Sequence, residues 1–376
     1  MIYFDNAATG GFKPRAVTDA VESVIRYLSA NPGRSGHRLS VTGAEIVFDA
    51  RSALGELFGA TPERVIFTKN CTEALNFAIL GSIKPKMHVL TTVYEHNSVL
   101  RPLFSLKEKG LITLDVVMAE HIHLLPKAIE EKITDKTGML VVNAVSNVTG
   151  DKLPVYELGE IAKKHRLIYI IDGAQAGGHI GLDIDSLSAT AICLACHKGL
   201  YGIMGSGALI LSKTAELEPV ITGGTGSESF NLLQPTTYPD KLEGGTLNLP
   251  AISAICESAR YVKRNMKSFS RLLLEHTALL VDGLKSLNIP VYSSPNEAGI
   301  VSFAVDGIPS VDVAEILDKD YDIAVRPGIH CAPLLHQFLG TVDSGLTRVS
   351  LSAQNTTREI RYFLSAIKDR FSAKSF

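Results

Sequence analysis

The sequence predicts an α/β fold: a doubly wound, mostly parallel sheet between helices, followed by a smaller α+β domain. Three observations predict it. Helix-like and strand-like segments alternate up to about Leu249. Within that region "GMLVVNAVS" and "LIYIID" are near-continuous apolar runs, as in parallel strands covered by helices on both faces. Beyond Leu249 the alternation gives way to one long helical segment and then to short mixed elements.

Each element has its own signal. "RAVTDAVESVIRYL" puts Val17, Val21, Val24 and Leu28 on one helical face. "RVIFT" reads as a strand and "NCTEALNFAIL" as the helix opening behind it. "HVLTTV" is a strand, with a helix after His96. Between the two apolar runs, Pro154 to His165 reads as a helix with proline at its start. "ATAICLACHKGLYGIMGSGALIL" is long and apolar enough to raise the question of a membrane span. His197, Lys198, its glycines and its β-branched residues make it buried strands instead. A helix then runs to about Leu287. After it come a strand at "GIVSFAV", a helix from about Ser310, a short strand near "IAV", a strand at "LTRVSLS" and a last helix from Thr357. The expected boundaries are 14–254 for a large cofactor-binding domain and 255–376 for the small one, with 1–13 packing on the latter.

Composition narrows the function. A net charge of -2 leaves no electrostatic footprint for nucleic acid or an anionic membrane. "MIYFDNAATG" has no basic region leading into an apolar run, so the expectation is a cytoplasmic protein whose five cysteines are reduced thiols. Cys193, Cys196 and His197 spell the haem-attachment string C-x-x-C-H. On a strand, side chains three apart point to opposite faces, so the pair is expected to pack in the core rather than hold haem or metal.

Lys198 is the one formally charged residue of its apolar stretch. A snorkelling side chain would explain it, and so would an amine whose pKa is lowered by burial for covalent chemistry with a carbonyl. Ligands of doubly wound sheets sit beyond the carboxyl ends of the strands. The polar residues expected there are Cys71 and Thr72 opening a helix, His96, Asn147, Asp172, Gln175, His197 and Lys198. Singly, caps and turns account for most of them. Together they offer a phosphate seat, an acid, a ring-sized side chain and an amine, a set that fits pyridoxal phosphate.

The chain resembles the class V aminotransferase group of fold-type I pyridoxal-phosphate enzymes, and within it the cysteine desulfurases and selenocysteine lyases. The resemblance rests on "YFDNAATG", "NPGRSGHRLS", "KNCTEALN", "YEHNSVLRPL", "SNVTG", "IDGAQAGGHIGLDI", "CHKGLYG", "GGTGSES", "EGGTLNLPAI", "RPGIHCAPL" and "TRVSLSAQNT", and "RPGIHCAPL" points to the desulfurases. It implies a seven-stranded sheet in the large domain. It also implies that Lys198 carries the cofactor as a Schiff base and shuttles the Cα proton, that Asp172 pairs with the pyridine nitrogen, and that His96 stacks on the ring. Gln175 and Asn147 would lie near the phenolic oxygen. Thr72, His197 and the Cys71 backbone would hold the phosphate, with Thr225 reaching the site of a second subunit in a homodimer. Arg348 would grip the substrate carboxylate, Arg326 would line the entrance, and Cys331 would accept sulfur as a thiolate helped by His330 or Arg326.

The implied reaction converts L-cysteine to L-alanine and an enzyme persulfide for an acceptor protein or small thiol, in support of iron–sulfur cluster formation. A selenocysteine lyase acting on L-selenocysteine, an aminotransferase or epimerase, and an inactive cofactor-binding regulator are the alternatives. The chain departs from the group at Ala195, where members often carry a phosphate-binding Ser or Thr, and at Ile203-Met204.

Overall fold

A computed structural model describes residues 1–371. The chain runs through β1 (Ile2–Tyr3), α1 (Arg15–Tyr27), α2 (Arg38–Phe58), β2 (Val65–Thr68), α3 (Cys71–Leu80), β3 (Met87–Thr92), α4 (Asn97–Glu108), β4 (Ile112–Val117), α5 (Leu125–Glu130) and β5 (Thr137–Asn143). It continues through α6 (Val155–Lys164), β6 (Ile168–Asp172), β7 (Ala191–Ala195), β8 (Gly207–Leu211) and the long α7 (Leu249–Ser286). The last elements are β9 (Ile300–Phe303), α8 (Ser310–Tyr321), β10 (Ile323–Ala324), β11 (Arg326–Gly328), α9 (Pro333–Leu339), β12 (Leu346–Ser350) and α10 (Thr357–Phe371).

Seven strands form the main sheet in the order β2-β8-β7-β6-β5-β3-β4, with only β8 reversed against its neighbours. The two apolar runs become β5 and β6, paired in parallel and buried between helical layers. Side chains alternate between two cores. Leu140, Val142, Ile171, Ile192 and Leu194 join one, and Met139, Val141, Ile170 and Ala191 join the other. Cys193 and Cys196 fall in different cores, so the two thiols of the C-x-x-C-H string face away from each other, as the strand spacing requires.

A third core, built around Phe4, Val301, Phe303 and Phe363, fills the small lobe. Its sheet has the order β11-β12-β9, and β1 joins β10 in a separate parallel pair. The helix α7 serves two cores. Ile252 to Val262 pack in the first, and Leu273 to Leu284 pack in the third. The expected boundary at 254/255 therefore falls inside one continuous helix, and residues 372–376 of the expected small domain lie outside the described residues.

The helix α2 has no counterpart among the sequence expectations. Its buried face, Gly43, Val47, Ala50, Leu54 and Phe58, is rich in small residues, while Val41 and Phe48 stand exposed on the other side. That mixture blurs the apolar stripe by which an amphipathic helix is read.

Candidate active site

Strands β5, β6 and β7 end side by side, with Asn143 opposite Asp172 and Asp172 opposite Cys193. Beyond those ends lies a cavity that brings together eight of the sequence-predicted residues: Cys71, Thr72, His96, Asn147, Asp172, Gln175, His197 and Lys198. The strand ends supply the acid and the amine. The N-termini of α3 and α4 supply the neighbouring polar groups.

Lys198 stands in the turn just past β7, where its carbonyl accepts from the Tyr201 N–H at 2.9 Å. Burial lowers its pKa, and the Asp172 carboxylate opposes that shift. The amine is thus closer to its neutral, nucleophilic form than a surface lysine, without losing its counter-charge. Asp172 Oδ1 accepts from the Ala174 N–H at 2.9 Å and from the Cys71 thiol at 3.5 Å. Burial and the nearby Asp172 carboxylate hold Cys71 protonated, so its side chain is a donor to the acid. The sequence pointed to the Cys71 backbone and a phosphate. The structure turns the Cys71 side chain to the floor of the cavity, beneath Asp172.

His96 caps α4. Its Nδ1 accepts from the Ser98 N–H at 3.0 Å and lies 2.9 Å from Ser98 Oγ. Burial pushes its pKa down to about 4 against the pull of Asp172, so it is a neutral ring near pH 7. The cap of α3 is Asn70, whose Oδ1 accepts from the Glu73 N–H at 2.9 Å. Thr72 is therefore released from capping, and its Oγ1 pairs with Ser98 Oγ at 2.8 Å. Together with the first-turn N–H groups of α3, this is a hydroxyl-lined helix N-terminus suited to an anion. His197 is also neutral, pushed down to about 4 by burial, with Lys198 and Lys13 adding to the shift.

Arg348 lies on β12 and is 1% exposed. Its Nη1 donates to the Asn147 carbonyl at 2.9 Å and its Nη2 donates to Asp5 Oδ1 at 3.0 Å, while the buried Nε has no partner. Burial lowers its pKa to about 10, which leaves the guanidinium charged near neutrality. Arg326 sits opposite it in the β11–β12 register. Asn147 links this side to the next: its Nδ2 donates to the His330 carbonyl at 2.7 Å, and its Oδ1 is buried without a partner.

Cys331 occupies the turn between β11 and α9. His330 and Cys331 are both left-handed, with φ of 51° and 57°. Two consecutive non-glycine residues in that region are strained by roughly 1–2 kcal/mol each. The turn is held by the Asn97 N–H, which donates to the Cys331 carbonyl at 2.7 Å, and by Asn147. Arg326 Nη2 stands 4.0 Å from the sulfur. His330 donates from Nε2 to the Arg326 carbonyl at 3.1 Å, and burial pushes its pKa down to about 3. Of the two residues expected to favour a thiolate, only Arg326 is a cation.

Thr225 is not brought to this cavity. It lines a separate depression with Arg34, Arg51 and Glu243, and its Oγ1 lies 3.3 Å from Ser227 Oγ. Sequence reasoning missed Ser98, Asn143 and Asp5. Ser98 and Asn143 line the cavity. Asn143 had a signal, as the last residue of an apolar strand. Asp5 had none, because its partner Arg348 is 343 positions away.

The family profile for Aminotransferase class-V matches residues 2–363. A protein of Pyrococcus abyssi named "Probable cysteine desulfurase" is 31% identical, with 98% of this chain and 94% of the relative covered. One of the same name from Methanothermobacter thermautotrophicus is also 31% identical, over 96% of this chain and 92% of the relative. Among solved structures, the apo cysteine desulfurase of Thermococcus onnurineus NA1 superposes with a TM-score of 0.92 at 32% identity, covering 98% of this chain and 94% of that one.

Proposed function

The chain belongs to the class-V aminotransferase family, and on that premise we propose that it is a pyridoxal-phosphate-dependent cysteine desulfurase. Its products would be L-alanine and a persulfide on Cys331. The observation that carries this reading is the Cys331 turn, clamped at once to Asn97, the neighbour of His96, and to Asn147; His96 and Asn147 line the cavity that holds Lys198. A transaminating site needs no thiol there.

The residues fit the cofactor. The cavity offers an amine, a carboxylate whose Oδ2 makes no described hydrogen bond, a neutral imidazole and a helix N-terminus with hydroxyls. The unpartnered Asn147 Oδ1 completes the set. Pyridoxal phosphate bound there supplies an electron sink for the Cα carbanion of an amino acid. Lys198 would hold the cofactor and carry the Cα proton on Nζ, and Asp172 would pair with its ring nitrogen. Thr72, His197 and the start of α3 would hold its phosphate, with His96 and Gln175 beside the ring. Arg348 presents its free Nε edge to the substrate carboxylate.

The Cys331 sulfur bonds to the substrate sulfur as the Cβ–S bond breaks. The electron pair stays on carbon, which takes a proton and leaves as alanine. The persulfide then passes to an acceptor protein or small thiol. We place the reaction in a cytoplasmic homodimer in which Thr225 serves the second subunit's phosphate.

The test is a product assay with L-cysteine, L-selenocysteine and L-alanine, each with and without dithiothreitol. The expected result is alanine from L-cysteine, with Cys331→Ala at least about 100-fold slower on that substrate while retaining the cofactor. Undiminished alanine release by Cys331→Ala excludes the desulfurase route. Activity confined to L-selenocysteine makes the chain a lyase.

A further inference from the structure

The N-terminal segment touches the site at three places, Arg348, Gln175 and His197. Asp5 pairs with Arg348, and the Ala7 carbonyl accepts from Gln175 Nε2 at 3.0 Å. The segment is anchored on the small lobe by Asn6 Nδ2, which donates to the Ser350 carbonyl at 2.9 Å. It is folded back on itself by the Gly11 N–H, which donates to Asn6 Oδ1 at 3.0 Å.

Its far end closes on one atom, the His197 carbonyl oxygen. The Gly10 N–H donates to it at 2.9 Å, and Thr9 Oγ1 and Lys13 Nζ both donate at 3.3 Å. Thr9 Oγ1 also lies 3.1 Å from His197 Nδ1, so the backbone and the ring of His197 are held by one hydroxyl. A carbonyl oxygen has two lone pairs, so three donors saturate it. Glycine at position 10 allows this approach, since a Cβ there would stand 3.1 Å from the Lys198 carbonyl oxygen, a tight contact.

Lys13 is the unexpected member. It is half-buried, and among the described residues it makes no ion pair with a carboxylate. A partly desolvated ammonium without a counter-ion opposes folding. Burial lowers its pKa to about 8 accordingly, and the charged groups near His197 are Lys198 and Lys13 itself. Its one described polar contact is the peptide that joins His197 to Lys198.

We propose that Thr9–Lys13 is a positioning strap for the turn that carries Lys198, with Lys13 as its charged positioning residue. The inference rests on the desulfurase reading for its kinetic consequence only. The His197 carbonyl and the Lys198 nitrogen share one peptide plane, so fixing the oxygen fixes the N–Cα bond from which the Lys198 side chain departs. The strap ties that bond to the small lobe, and so to Arg348. A misplacement of about 1 Å at a reacting group costs on the order of 100-fold in rate, which is why a contact to a backbone atom matters here.

The test compares wild type, Lys13→Met and Lys13→Arg by amide hydrogen exchange and by steady-state kinetics. Lys13→Met should speed exchange in the 196–202 segment by about 5-fold or more with β5 and β6 unchanged, and should lower kcat about 10-fold with little change in KM. Lys13→Arg should restore both. The kcat of the wild type should fall as pH rises through about 8, because the ammonium is present below that value and lost above it. The Arg variant should keep its rate to higher pH, and the Met variant should lack the step. Unchanged exchange and kcat in Lys13→Met, or no recovery with Arg, overturns the strap. Exchange does not depend on the reaction. An exchange contrast without alanine release therefore sinks the desulfurase reading and leaves the strap. Alanine release without the contrast does the reverse.

Discussion

On the proposed reading Lys198 and Cys331 serve one site, and the fold places them by opposite means. Lys198 follows β7, which is buried between β6 and β8 in the middle of the main sheet, and its turn is pinned from the N-terminal segment. Cys331 follows β11, a three-residue strand at the edge of the small sheet, on a turn of two left-handed residues. The first arrangement fixes an amine in the interior. The second leaves a thiol partly exposed. On the proposed reading the two placements divide the labour, the sheet interior setting geometry and the edge turn giving access.

The largest effect expected from breaking this contrast is on the rigid side. Lys198→Ala should lower alanine production by at least about 1,000-fold, because on the proposed reading the cofactor's anchor and the carrier of the Cα proton are lost together. Borohydride should then fix no cofactor on the peptide containing position 198. Alkylation of Cys331 by iodoacetamide should proceed at the wild-type rate, since its turn does not depend on the amine. Peptide mapping after each reagent reads both. Cofactor fixed at another lysine would overturn the assignment.

An intermediate effect is expected on the turn. Arg326→Met removes the guanidinium 4.0 Å from the sulfur, while His330 stays neutral and cannot replace it. Alkylation of Cys331 by the anionic reagent iodoacetate should slow by about 10-fold relative to neutral iodoacetamide, because the guanidinium beside the sulfur attracts the anion. Cofactor uptake, measured by absorbance, should persist. An unchanged ratio of the two rates would show that Arg326 does not present its charge at the sulfur.

The two regions also differ in how much of each was legible in the sequence. β5 and β6 announce themselves as apolar runs, and each strand end delivers its polar residue to the cavity, which is why Asp172, His197 and Lys198 could be grouped without a structure. The Cys331 turn has no such periodicity. β11 is too short to carry a pattern, and the left-handed conformation of Cys331 is not one that its residue type favours. Its role came from the resemblance of "RPGIHCAPL" alone. Contacts across the whole chain, such as Asp5 with Arg348, were invisible for the same reason: local sequence encodes local structure, and this pairing is a product of the fold. Cys71 illustrates a subtler limit. Its position at the start of α3 was legible, but not which of its atoms would face Asp172.

The smallest effect concerns a group beneath the rigid side. Glu95 is fully buried just before His96. Its Oε1 accepts from Thr92 Oγ1 at 2.6 Å, and its Oε2 has no partner. Burial pushes its pKa up to about 8, with the Asp172 charge adding to the shift and the bonds from Thr92 and the Asn143 backbone opposing it. The folded carboxyl is therefore neutral near pH 7, whereas the unfolded one ionises around 4.5. Between those values the folded state binds more protons than the unfolded state, so this group's contribution to stability falls as pH rises from about 4.5 to about 8. Glu95→Gln cannot ionise and lacks that slope. The variant's stability relative to wild type should thus improve between pH 5 and pH 8, by on the order of 1–4 kcal/mol. Urea unfolding of both proteins at the two pH values measures it. Parallel pH dependence in the two proteins would mean that Glu95 is already ionised in the fold. A second buried negative charge would then lie near Asp172, and the rigid side would owe its order to a compensating cation.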